Sequence, residues 1–600
     1  MTPTPSTDPT ELVADELVGR LTSWGVERVF GFSGDGIDPI LGALRRAGAP
    51  ELVTARHEES AAFMATAHAK WTGGLGCCLA THGPGAIHLL NGLYDAKLDK
   101  QPVLASVGQQ HTTALGSGYQ QEIDLISLFK DVCSAFLQTV TAPEQLGHVL
   151  DRAVRTALSV RAPTLVILPH DVQSTEAVPE PGRSHAVVTS RPAALEPPIV
   201  VPSSDALDRA AELLDAAERP AMLVGQGARG ASREVMQVAE QLSAGVSSAL
   251  LGKFVVAEDH PLVAGALGHL GTTASVALME RCDALLMIGT NEPYTEFLPA
   301  PDQARAVQID IDGRRIGGRY PTEVDLLGDA RATLAELLPR LRPRDRSAWR
   351  DEVTGAVERW REIAERRAQR PAEPLNPQLL LHELSPRLPD DALLAVDVGT
   401  VTYWYARHVR ARGGIQGHLS STLASMGSAL PYSVAGKFAH PDRLVVALVG
   451  DGAMQMNGLN ELITVARSWR GWTDPRLPIL VLDNGDLNEV TWEQREMEGD
   501  PRFATSQEVT PVPYAEWAAL LGLDGCVVER PDQVAAAWDR ALSADRPFVL
   551  HARVDPAVPV LPPRLEPDAR ERLLAGLEQE DTPVGRRALD MVRTEFEEIA

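Results

Sequence analysis

Apolar residues recur along this chain in two rhythms. Short unbroken runs, such as residues 444–449 and 479–482, end in Gly, Asp or Asn. Stretches with apolar positions three and four apart follow them, as with Leu459, Leu462, Ile463 and Ala466. The first rhythm predicts strands buried on both faces, and the second predicts helices laid on a sheet. Their alternation predicts an α/β protein with doubly wound parallel sheets. Residues 11–175 alternate this way, with strands expected near 28–31, 52–55, 77–80, 102–107 and 163–168. Helices are expected over 12–24, 37–47 and 60–70. Residues 174–204, rich in Pro, Ser and Glu, read as a linker. A second α/β domain is expected over 205–340, with strands at 221–224, 284–288 and 306–311. A charged helical connector (340–375) leads to a third domain over 376–556, with further strands at 393–396 and 548–554. Residues 557–600 read as a charged tail with helical runs.

The stretch 444–487 carries the strongest chemistry. Strand, Gly450-Asp451-Gly452, helix and a second strand ending in Asp483-Asn484-Gly485-Asp486 put oxygen ligands at two strand ends. Ligands of parallel sheets sit there. Asp451 offers a carboxylate, Asn484 a side-chain carbonyl, and the backbone carbonyl near Asp486 a third oxygen, a set that suits Mg²⁺ beside a phosphate. Gly450, Gly452 and Ala453 let the backbone approach a diphosphate at a helix start. The plain alternative is an ordinary turn, and Gly34-Asp35-Gly36 shows that the tripeptide alone decides nothing. The second strand with Asn484 favours the site.

Composition narrows the function classes. The 600 residues allow three or four domains, and 44% hydrophobic with 23% charged residues is a globular balance. A formal net charge of −25 disfavours nucleic-acid binding, which needs basic patches. Five scattered cysteines suit a reduced, cytoplasmic chain. The start lacks a basic-then-apolar pattern, so no signal peptide is expected, and the first ten or so residues read as a disordered tail. No apolar run is long enough to span a membrane.

The segment from Asp451 to Asn484 resembles the diphosphate-binding motif of thiamine-diphosphate enzymes, though the polar loop 467–476 makes it a few residues longer. The resemblance extends over nearly the whole chain. Arg56-His57-Glu58-Glu59 resembles the Arg-His-Glu element of pyruvate oxidases and acetolactate synthases. It implies that Glu58, not Glu59, pushes the cofactor's aminopyrimidine into the tautomer that removes the thiazolium proton. A solvated acid at a helix start is the alternative. The loop holding Gly34 and the run 83–109 resemble the family's first two loops. Tyr119-Gln120-Gln121-Glu122 resembles a Phe-Gln-Glu element of the active site, which implies a role for Gln121, with Gln120 in place of Phe. Gly399 and Thr400 fall near the diphosphate. Met426, in Ala424-Ser425-Met426-Gly427, stands where an apolar side chain wedges between the thiamine rings. Core packing is the ordinary use of such a Met. Glu493 falls where a second acid faces substrate, or is an exposed helical charge. Asn488-Glu489 replaces the Gly-Phe of oxidase relatives.

Residues 282–334 resemble the FAD-binding domain of pyruvate oxidases and quinone-reducing pyruvate dehydrogenases, implying contacts from Gly225, Gly289 and Asp310. Flavin-free decarboxylases share the fold, so FAD does not follow from fold alone. The resemblance implies three domains binding the pyrimidine (11–175), FAD (205–340) and the diphosphate with Mg²⁺ (376–556). It also implies a 2-oxo acid substrate, pyruvate first, with oxidation through FAD to oxygen or a quinone ahead of acetolactate-type carboligation. A non-catalytic cofactor-binding relative is a further alternative. Glu58 and the diphosphate site come from different subunits in the family, so a dimer or tetramer is expected. The acidic end of the tail favours a solvated or subunit-packing helix over a lipid anchor.

Overall fold

In a computed structural model, the apolar runs become strands of three six-stranded sheets in which every pairing is parallel. The structure describes residues 11–178, 190–192, 195–196 and 198–599. The expected N-terminal tail and most of the expected linker lie outside these residues.

The first sheet holds β1 (Arg28–Gly31), β2 (Glu51–Thr54), β3 (Gly76–Ala80), β4 (Val103–Gln109), β5 (Leu137–Thr139) and β6 (Pro163–Pro169), in the order β2-β1-β3-β4-β6-β5. The second holds β7 (Pro220–Val224), β8 (Gly245–Ser248), β9 (Val263–Ala266), β10 (Ala284–Ile288), β11 (Arg305–Asp310) and β12 (Val324–Leu327), ordered β12-β11-β10-β7-β8-β9. The third holds β13 (Leu393–Val396), β14 (Gln416–His418), β15 (Val445–Gly450), β16 (Pro478–Asp483), β17 (Asp524–Val528) and β18 (Phe548–Arg553), ordered β14-β13-β15-β16-β18-β17.

The first and third sheets share one strand order, which the sequence did not reveal. Their order reverses between β1 and β3 and between β13 and β15. The central sheet has the dinucleotide-fold order and reverses between β7 and β10. Such switch points open a crevice at the carboxyl ends of the strands.

The chain gathers into two compact units. One takes residues up to 197 with 420–442 and 456–473; the other takes 198–419, 443–455 and 474–600. Two helices that follow strands of the third sheet, Ala429–Ala439 and Leu459–Ser468, thus belong to the first unit. There Ala429–Ala439 packs on the long helix Glu58–Thr72.

Several expectations change. The helix expected over 60–70 starts at Glu58, so Glu58 lies in its first turn. In Leu459–Ser468, Ile463 is exposed and Glu461 is fully buried, because the helix faces the His57 end of the neighbouring helix with a polar contact. The tail is not a solvated helix. Ala588, Val592 and Phe596 join the apolar core of the second unit, and Glu595 pairs with Arg367 at 3.3 Å, both nearly buried. Its charge pattern concealed an apolar stripe that needs a partner surface. Among the described residues, no helix is long and apolar enough to cross a membrane.

Candidate active site

The switch point of the third sheet is built from three adjacent strands. β13 is followed by Gly399, β15 ends at Gly450, and β16 is followed by Asn484 and Gly485. A side chain added at Gly399, Gly450 or Gly485 would meet nothing within 4 Å. Gly399 (φ 130°) and Gly485 (φ 67°) occupy backbone conformations that suit glycine. Thr400 begins the helix Thr400–His408 beside this space.

Asp451 is 3% exposed. Its Oδ1 accepts the Gly452 amide at 2.8 Å, and its Oδ2 accepts the amides of Asn484 (3.1 Å) and Gly485 (2.7 Å). The carboxylate therefore fixes the turn that carries Asn484. Burial, reinforced by the neighbouring Asp483 carboxylate, holds the Asp451 carboxyl above the ordinary range. A divalent cation would offset that repulsion, and the all-oxygen pair Asp451 and Asn484 fits Mg²⁺. Asn484 Oδ1 accepts the Asp486 amide at 3.0 Å. The Asp486 side chain is engaged elsewhere, accepting from Arg502 Nε at 2.7 Å and Asn488 Nδ2 at 3.1 Å, so its backbone carbonyl is the better ligand candidate. Asp483, bound to His551 Nε2 at 2.7 Å, was missed from sequence. Its place as the last residue of β16 was the available signal. Ala453 is buried in the first helical turn after Gly452.

Glu58, Met426 and the first-unit loops lie in the other compact unit. Glu58 is 7% exposed, and its Oε2 lies 2.9 Å from His88 Nδ1. His57 caps the helix by accepting the Glu59 amide at 3.2 Å, and its ring centroid lies 4.2 Å from that of His88. A side chain at Gly85 would come within 3.1 Å of Glu58 Oε1, so the small residue leaves the carboxylate room. Buried Glu461 accepts the Arg56 amide at 2.8 Å, and burial raises its carboxyl above the usual range. Nothing local in the sequence pointed to this partner. Gly34 approaches Thr81 too closely for a side chain. Gln121, exposed with φ 62°, lies against Gly83, while the Gln120 carbonyl accepts from Gln110 Nε2 at 2.8 Å. Met426 sits half-buried in a loop between Ala424 (φ 55°) and Gly427 (φ 92°).

At the central switch point the glycines touch each other. A side chain on Gly289 (φ 56°) would lie 2.5 Å from Gly227 Cα, and the Gly227 amide donates to the Gly289 carbonyl at 3.0 Å. Gly225 meets the same turn. Close backbone packing by itself accounts for these residues. Beside them, buried Thr290 Oγ1 has no hydrogen-bond partner, which leaves one polar group suited to a ligand. Asp310 Oδ1 accepts the Asp312 amide at 2.8 Å, closing a turn after β11. Glu493 is exposed on the helix Asn488–Met497, near Glu489, whose carboxyl burial pushes up to about 7.

Comparison with known proteins gives this geometry a family. Residues 12–128 match the thiamine pyrophosphate enzyme N-terminal TPP binding domain, 207–337 its central domain and 397–552 its C-terminal TPP binding domain. YdaP of Bacillus subtilis (strain 168), whose name gives thiamine pyrophosphate but no reaction, is 35% identical over 90% of this chain and 91% of its own. The acetolactate synthase isozyme 2 large subunit of Escherichia coli (strain K12) is 32% identical over 92% and 97%. Pyruvate oxidase of Lactiplantibacillus plantarum is 31% identical over 74% and 73%. The chain belongs to the thiamine pyrophosphate enzymes.

Proposed function

We propose that this chain decarboxylates a 2-oxo acid, pyruvate first, and passes the electrons released by oxidation of the remaining fragment through FAD to oxygen or a quinone. The observation that carries the thiamine part is the open, glycine-bordered switch point with Asp451 and Asn484 on adjacent strand ends. Thiamine diphosphate supplies an electron sink for carbon–carbon cleavage. Asp451, Asn484 and the Asp486 carbonyl would hold Mg²⁺, which would supply the positive charge that a diphosphate needs. Gly399, Thr400, Gly450, Gly452 and Ala453 border it. Glu58 would hold a proton at the aminopyrimidine ring of a cofactor bound by the partner subunit, in at least a dimer. By the resemblance, Met426 would support the cofactor, and Gln121 and Glu493 would serve the substrate end.

FAD binding rests on the central dinucleotide-fold order, on the unpartnered Thr290 Oγ1 at its switch point, and on Gly225, Gly289 and Asp310 as the bordering residues. Carboligation of the acetolactate synthase kind is the second reading, favoured by the longer alignment with that relative. The deciding experiment is the absorbance spectrum of the purified protein, without oxygen, before and after pyruvate with thiamine diphosphate and Mg²⁺. Flavin bands that bleach support oxidation. Bands that persist point to carboligation or another 2-oxo acid, and a flavin-free protein overturns the leading reading. Glu58→Gln should cut turnover about 100-fold or more while leaving cofactor binding nearly unchanged, read by calorimetry beside a rate assay.

A further inference from the structure

We propose that Asn91 is a positioning residue that clamps the start of the Glu58 helix to the Met426 loop. This rests on the reading that Glu58 and Met426 serve the thiamine cofactor. Asn91 lies on the helix Leu90–Leu98. Its Nδ2 donates to Glu59 Oε1 at 2.5 Å and to Ser425 Oγ at 2.8 Å. A carboxylate only accepts, so Glu59 fixes which end of the amide faces it, and the two bonds use both protons of the –NH₂ group. One partner is the neighbour of Glu58 and the other the neighbour of Met426. Glu58 itself turns to His88, so the two adjacent acids have separate partners and only Glu59 joins the clamp.

The loop needs such an anchor. Ala424 holds φ 55°, a conformation that a residue with a side chain keeps only when its surroundings enforce it. The enforcing contacts come mostly from one helix and the residue that ends it. Asp99, the C-cap of Leu90–Leu98, accepts the amides of Ser421 at 3.0 Å and Thr422 at 2.9 Å. Ser420 Oγ accepts the Ser425 amide at 3.1 Å. Asp99 also takes Lys70 Nζ at 2.7 Å, from the far end of the Glu58–Thr72 helix. The Leu90–Leu98 segment therefore grips that helix at both ends, through Glu59 and Lys70, and grips the Met426 loop at two points. Lys70, Asp99 and Asp95 are buried and interlocked, which suits a fixed base. Asn91 is the half-buried arm of this clamp, nearest the chemistry.

The test is backbone hydrogen exchange of the whole, cofactor-free protein, followed by exchange of the thiazolium C2 proton after thiamine diphosphate and Mg²⁺ are added. In Asn91→Ala, exchange at residues 420–427 and in the first turn after His57 should rise about tenfold, the scale of losing a charge-assisted hydrogen bond. C2 exchange should slow by a similar factor. Ser425→Ala should raise exchange in 420–427 alone. Glu59→Gln keeps an acceptor and should preserve protection in both segments. Unchanged protection in Asn91→Ala, or in Ser425→Ala should the former not fold, overturns the clamp. Loosened segments with normal C2 exchange overturn its catalytic meaning. A wild-type protein that never binds thiamine diphosphate instead overturns the proposed function, while the amide readings still judge the clamp.

Discussion

Two switch points in this chain carry glycines at strand ends, and they use them in opposite ways. In the third sheet, Gly399 and Gly450 border open space. In the central sheet, Gly225, Gly227 and Gly289 pack their backbones against one another. The sequence signal is the same, a buried strand ending in glycine. At the first site the absent side chain leaves room for something else. At the second it lets two turns approach within contact distance. A glycine at a strand end is thus evidence of close approach, and only the structure says what approaches.

Substitutions can break this contrast. Gly289→Ala should be the most damaging, because a Cβ there meets Gly227 Cα at 2.5 Å and the residue must keep φ 56°. A loss of about 3–4 kcal/mol is expected from overpacking plus backbone strain, read as a lower urea midpoint. A loss below about 1 kcal/mol would show that the two turns yield to the added methyl group and are not held together by this contact. Asp451→Asn keeps the side chain's shape, removes the charge and gives up the backbone hydrogen bonds of one carboxylate oxygen. It should weaken Mg²⁺-dependent cofactor binding about 100-fold, or ~2.7 kcal/mol, in calorimetric titrations. Binding unchanged by the substitution would remove the metal from the open site.

The central crevice also has a pH signature. Burial pushes the Glu292 carboxyl, just past the β10 turn, up to about 7. A carboxyl raised in the folded state binds its proton more tightly when folded. Its contribution is full below about pH 4.5 and is lost as pH rises through about 7. Glu292→Gln should therefore gain stability over wild type across that window, by up to about 3 kcal/mol at pH 8. Parallel denaturation curves at about pH 5 and 8 would refute it if the difference stayed constant. The mildest change is Gly450→Ala. Gly450 has φ −83°, and the added methyl group would find nothing within 4 Å, so stability should move by less than about 0.5 kcal/mol. The methyl group would nonetheless enter the open space proposed for the diphosphate, and cofactor affinity should fall about tenfold.

The central strands were readable because they are apolar on both faces and end in turn residues. Val445–Gly450 and Pro478–Asp483 lie within one residue of expectation, and Asp451 and Asn484 follow from them. The outlying strands Leu137–Thr139, Gly245–Ser248 and Gln416–His418 were not singled out, because three or four residues with Gly, Ser or Gln leave no periodic signal. Glu58 is a candidate through resemblance alone, and its environment has no counterpart in the sequence. His88, 30 residues on, and the Arg56 contact from Glu461, 405 residues away, have no local signature.

By itself, then, the sequence determined what local periodicity encodes: three runs of parallel-strand α/β structure and two oxygen-bearing side chains on neighbouring turns. The tertiary structure decided what depends on chain closure. It set the shared strand order of the outer sheets and sent two helices of the third segment to the first unit. It also turned one set of glycines toward open space and another toward each other. Burial and hydrogen bonding between distant segments are collective properties, and a Gly, Glu or Asn carries no local mark of the partner it will meet.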